Sequence, residues 1–116
     1  MTAPHDIPTA AQQVEAVREF LEGDVSAATD GRVRFHARVA ANVCAMVERE
    51  LALGPAQAQA AADRLAPFGV VDDFELAAAI RSGELDDRYD EVAAAVRETV
   101  RDKLIVANPK YLDNPA

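Results

Sequence analysis

Apolar residues recur along this chain every three or four positions, and no segment alternates apolar and polar residues in the way a strand would. The spacing predicts helices from end to end. At Thr9 the hydroxyl and the amide of Gln12 fit a capping box. From there Val14, Val17, Phe20 and Leu21 take one side of a first helix, Glu15, Glu19 and Glu22 take the other, and Gly23-Asp24 ends it. Val25 to Gly31 reads as a connection. A second helix is predicted from Arg32 to Leu53, stopped by Gly54-Pro55. At about 100° per residue, Phe35, Val39, Val43, Met46 and Val47 gather on one broad face of it. This is the longest amphipathic stretch, hence the predicted central helix.

Pro55 suits the first turn of a third, alanine-rich helix ending near Ala66-Pro67, because proline needs no amide donor there. Leu65 is its only large apolar residue, which predicts a modest contribution to packing. Asp72 and Asp73 are caps for a short fourth helix with Phe74, Leu76, Ala77 and Ile80, closed by Ser82-Gly83. Asp86 or Asp87 is the expected cap of a fifth, from about Arg88 to Ala107, with Tyr89, Val92, Val96, Val100 and Leu104 as its buried stripe and Asn108-Pro109 as its end. Ile105 lies opposite that stripe, to be covered by Tyr111 and Leu112 or by an interface. The expected fold is all-α: a compact single-domain bundle of about five helices with a long central second helix. Residues 9–112 form the domain, between a flexible arm, 1–8, and a tail, 113–116.

Composition narrows the function. A chain of 116 residues can bury one core without covalent staples. With four Phe, two Tyr and no Trp, that core depends on close packing of small side chains. The net charge of −8 argues against nonspecific nucleic-acid or anionic-membrane binding, though a local basic patch remains compatible with an anion. Cys44 is the single cysteine, so no internal disulfide and no thiolate metal site can form. The absence of a membrane-length apolar run and of a signal-peptide core near Met1 makes a cytoplasmic location the expectation.

Polar residues on the second helix are the candidates for chemistry. Arg34, His36, Arg38 and Asn42 could together hold a phosphate or a carboxylate, since guanidinium groups bind either bidentately. His36 falls within the apolar face, where it could act as an acid or base, or simply bond a group on a neighbouring helix. The arginines have the competing reading of salt bridges to Glu15, Glu19, Glu22, Asp86, Asp87 or Asp90. Asn42 in mid-helix suggests an interhelical hydrogen bond. His5 and Asp6 in the arm, and Asp86, Asp87, Asp90 and Glu91, read as solvated or capping groups and not as metal sites. Lys103 falls within the apolar stripe of the last helix, where its amine can reach water along its stem. No phosphate-binding loop, zinc-protease, nucleophile-elbow or dinucleotide motif occurs, so no catalytic residue, metal ligand or cofactor is assigned.

Four segments carry a wider likeness: Arg34 to Asn42 (RFHARVAAN), Glu48 to Gly54 (ERELALG), Ala79 to Asp86 (AIRSGELD) and Leu104 to Leu112 (LIVANPKYL). Through them the chain resembles, from about Thr9 to Leu112, a family of small bacterial proteins of unknown function. Members are often encoded beside an aminoglycoside-phosphotransferase-like kinase and an acyl-CoA dehydrogenase. The resemblance implies a helical accessory protein working with such a kinase or dehydrogenase in acyl-CoA metabolism, and it carries no catalytic residue over. The expectation is therefore a non-enzymatic interaction protein, itself a candidate homo-oligomer. The alternative is a small-ligand binding protein that uses Arg34, His36, Arg38 and Asn42 for a phosphate- or carboxylate-bearing metabolite.

Overall fold

The capping box at Thr9 forms as its spacing predicts. In the computed structural model, which describes residues 4–113, the Thr9 hydroxyl accepts the Gln12 amide at 3.2 Å and the Gln12 side chain accepts the Thr9 N–H at 2.8 Å. Helix α1, Ala10–Phe20, follows. Gly23-Asp24 does not end it. The chain widens into a π-helical turn, Leu21–Val25, and closes with one more α turn, Ser26–Ala28. A glycine stops a helix by taking a left-handed conformation, and Gly23 does not take one. The stop comes instead at Thr29, where the backbone turns extended, and the Thr29 hydroxyl donates to the open carbonyl of Val25 at 2.6 Å.

Gly31, at φ 53, opens helix α2, Gly31–Leu65, a continuous run of 35 residues with Pro55 inside it. The expected break at Gly54-Pro55 is absent, so the predicted second and third helices are one and the fold has about four main helices instead of five. Proline in a helix interior removes one backbone bond and costs about 3 kcal/mol. Side-chain bonds hold the helix on both sides of it. Arg18 forks onto Glu48 before Pro55, whereas after it Gln57 donates to the Asp102 carbonyl at 3.0 Å and Arg64 pairs with the Asp102 carboxylate at 2.8 Å. Packing of the flanks outweighs the local preference.

The chain divides into two compact units, one running to Leu53 and the other starting at Gly54. In the first, the buried face of α2 is its alanine side: Ala37 and Ala41 are buried, and Cys44, Ala45 and Glu48 are half-buried. Phe35, Val39, Val43 and Val47, the face predicted to meet the core, are exposed. Amphipathic spacing identified an apolar face correctly but not the face that α1 lies along. Residues 4–8 are exposed and outside any helix; the remainder of the expected arm, Met1 to Ala3, and of the tail, Asn114 to Ala116, lies outside the described residues.

In the second unit Asp72 caps helix α3, Asp73–Ser82, by accepting the Glu75 N–H at 2.8 Å, and Glu75 accepts the Val71 N–H in return. Gly83, at φ 86, ends α3. A 3₁₀ turn, Asp86–Arg88, leads into helix α4, Tyr89–Ala107, whose N-cap position is Arg88 with no side-chain cap, so neither Asp86 nor Asp87 caps it. The single-turn helix α5, Lys110–Asp113, follows Asn108-Pro109. Leu65, Leu76, Ala79, Leu85 and Val92 form the core, with Phe68 and Val70 packed on it. Leu65, expected to contribute modestly, is 4% exposed and central. On α4, Val92 and Ala95 are buried and Leu104 half-buried, while Tyr89, Val96 and Val100 of the expected stripe are open. Lys103 is exposed, its ammonium 3.7 Å from Asp73.

Candidate functional site

Helix α2 carries all four candidate residues, and its geometry divides them. At about 100° per residue, Arg34, Arg38 and Asn42 follow one ridge of the helix, and His36 projects from the opposite side, about 160° from Arg38. The ridge residues meet the end of the first helix. Arg34 Nε donates to the Ser26 carbonyl at 3.0 Å. Arg38 and Asn42 line a cavity of about 130 Å³ together with Leu21, Glu22, Ser26 and Ala41. Among the described residues no carboxylate pairs with Arg34 or Arg38, so the expected interhelical salt bridges do not form there. The cavity is large enough for one small anion. Its other wall carries the Glu22 carboxylate, which opposes an anion's charge.

The cation that does join the helices is Arg18. Its Nε and Nη2 bond the two carboxylate oxygens of Glu48, and its Nη1 reaches Glu22 at 2.9 Å. The bond to Glu48 foremost holds this guanidinium well above its ordinary pKa, so it stays charged at every accessible pH. The pairing of Arg18 with Glu22, four apart on one helix, is legible in sequence; the bond to Glu48 is not. In the second unit Arg88 has a similar role. It bonds Glu91 through two nitrogens, donates to the Pro67 carbonyl at 2.9 Å and stacks over Phe68 at 4.7 Å, fixing the turn after α2 to the start of α4.

His36 has no buried partner. Its ring meets Phe35 edge-on at 5.5 Å, and it stands exposed among the apolar residues of α2. Phe35, Val39, Val43, Val47 and Leu51 recur every fourth position and form an unbroken ridge. Phe35 is 60% exposed, Val43 49% and Leu51 42%. Within about 20° of the Val43 azimuth lie three charged or titratable side chains: Arg32 and His36 toward the N-terminal end, Glu50 toward the C-terminal end.

Elsewhere the surface offers little for chemistry. The second unit has an apolar groove of about 240 Å³ over Leu76, Ile80, Val96 and Val100, bridged at its edge by Lys103 and Asp73. Among the described residues no three His, Cys, Asp or Glu side chains are placed to hold a metal ion, and no helix is long and apolar enough to cross a membrane.

Residues 27–111 match the family model described as a domain of unknown function, DUF6285. The match begins in the last turn before Thr29 and covers the whole α2 ridge, while α1 with Arg18 lies outside it. No curated protein and no solved structure matches the chain.

Proposed function

The chain belongs to the DUF6285 family, and for it we propose a non-enzymatic helical accessory protein that works by protein–protein contact, assisting a phosphotransferase-like kinase or an acyl-CoA dehydrogenase. The observation that carries this reading is the bare apolar ridge of α2. Five large apolar side chains on one helix, open to water, are unfavourable unless another protein surface covers them. His36 stands on the side of α2 away from Arg38 and Asn42, so the four candidate residues do not converge on one site. The identity of the assisted enzyme comes from the family resemblance of the four sequence segments. The test is co-purification of the tagged chain with candidate kinase and dehydrogenase partners, followed by light scattering. A stoichiometric complex is expected; no complex with either class, from a well-folded sample, overturns the assignment of partner.

One observation favours a second reading. The Arg38 guanidinium, with no carboxylate paired to it, shares a cavity with Asn42 and Ser26, and a phosphate or carboxylate group of a metabolite would fit there. This narrows the four-residue cluster to Arg38 and Asn42. Thermal shift with inorganic phosphate and with acetate tests it: a rise in melting temperature that Arg38→Ala abolishes supports the site, and an unchanged melting temperature removes it.

A further inference from the structure

The ridge on α2 has the form of a surface that pairs with itself, and we infer that its occupant is a second copy of this chain, bound antiparallel across Val43. The inference rests on the reading of α2 as a contact surface and gives that surface to a second copy, so that an assisted enzyme would meet the pair and not the bare ridge.

Three features of the ridge favour a self-partner. The first is symmetry. Phe35 and Val39 precede Val43 by the same steps at which Val47 and Leu51 follow it, with the largest side chains at the two ends. A two-fold axis at Val43 sets Val39 beside Val47 of the other copy, twice over, with Phe35 and Leu51 at the two flanks, which is the self-complementarity an isologous contact needs. Helices crossing close to antiparallel, in the class near about +20°, keep Val39, Val43 and Val47 toward the other copy along this contact.

Charge is the second. Toward the N-terminal end the centre of this face carries Arg32 and His36, and toward the C-terminal end it carries Glu50. The same two-fold axis brings His36 opposite Glu50 of the other copy, with Arg32 one turn beyond, at both ends of the contact. A parallel pair would instead align Arg32 with Arg32 and Glu50 with Glu50. Like charges so placed oppose that arrangement, and the opposite charges select the antiparallel one.

The third is area. The open parts of the five ridge side chains come to roughly 400 Å² per copy, at the size where a patch on a single protein marks an interaction site. Pairing would cover about twice that in apolar surface. With Arg32, His36, Met46 and Glu50 at its margins, the contact belongs at the small end of specific interfaces, where pairing is reversible on dilution.

The test is sedimentation equilibrium or light scattering of the full chain over a dilution series. A species of twice 12.4 kDa that dissociates on dilution is expected. Val43→Asp sets two carboxylates against each other on the axis and should give the monomer with unchanged helical content. Glu50→Arg, at an exposed position, should weaken the dimer by about tenfold or more. Adding His36→Glu should restore it, because the new carboxylate then faces the new guanidinium. A chain monomeric at its highest attainable concentration, or a dimer indifferent to Val43→Asp and Glu50→Arg, overturns the inference. The two readings fail separately: a monomer that binds a kinase or dehydrogenase partner and loses it with Val43→Asp keeps the contact surface and refutes only the second copy, whereas a monomer that binds neither refutes both.

Discussion

Two leucines on the same helix provide the sharpest test of which stretch of α2 is buried within a single chain. Leu65 is 4% exposed within the core of the second unit, and Leu51 is 42% exposed at the end of the ridge. Replacing leucine by alanine removes roughly three methylene equivalents, about 2.4 kcal/mol when all are buried. At Leu65 the space left behind is enclosed, and a closed cavity adds up to about 2 kcal/mol, so Leu65→Ala should cost about 2.5–4.5 kcal/mol. At Leu51 part of the side chain already meets water and no enclosed cavity results. Leu51→Ala should cost about 1 kcal/mol in dilute solution, less a few tenths returned by alanine's better helix propensity. Urea denaturation followed by helical circular dichroism measures both. If a second copy covers the ridge, raising the protein concentration should enlarge the cost at Leu51 and leave that at Leu65 unchanged. Equal costs in dilute solution would refute the reasoning, since Leu51 would then be buried within a single chain.

Other outcomes follow from local structure. Gly83→Ala forces a side chain into φ 86 with its Cβ 3.3 Å from an Asp86 oxygen, and should lower stability by about 1–2 kcal/mol in thermal unfolding. Asp72→Ala removes the cap of α3 and should cost about 1 kcal/mol by the same measure. Pro55→Ala restores a donor to the interior of α2 and should raise stability by about 1–2 kcal/mol, the gain in the helix exceeding the looser unfolded chain. The bond from Arg88 holds the Glu91 carboxyl below its ordinary value of 4.5. Its stabilising contribution is complete above that pH and fades as pH falls through the lower folded value, so Glu91→Gln should lower the neutral region of a stability–pH curve, flatten its acid limb and meet the unchanged chain at low pH.

Several helix-end signals were legible in the sequence because their physics is local, although Gly23-Asp24 and Asp86-Asp87, equally local, supply neither an end nor a cap. Thr9 with Gln12, Asp72, Gly83 and Asn108-Pro109 act within a turn of themselves, and each marks a helix end as its chemistry predicts. Gly54-Pro55 is just as strong a local signal and fails, because bonds from Arg18 and to Asp102, far away in sequence, hold the helix on both sides. Periodicity found the apolar face of α2 but could not say what covers it. A face made for the core and a face made for a partner have the same spacing, and the alanines that let α1 approach look like filler. The polar candidates divide for a related reason. Arg34, Arg38 and Asn42 share an i, i+4 ridge that sequence displays, whereas the side of the helix from which His36 projects has meaning only once the buried side is known.

Covering the Phe35–Leu51 ridge by association, as proposed, would tie the lifetime of the protein to its own abundance. Pairing is a mass-action step, so a scarce chain stays mostly single and an abundant one is mostly paired. The single chain carries a bare apolar strip of the kind on which chaperones and proteases sort their clients. Copies made in shortage are thus cleared faster than copies made in plenty, and the standing level rises more steeply than the rate of synthesis. In a chain that pairs this way, five side chains on one helix act as a dosage threshold, with no ligand and no regulator required.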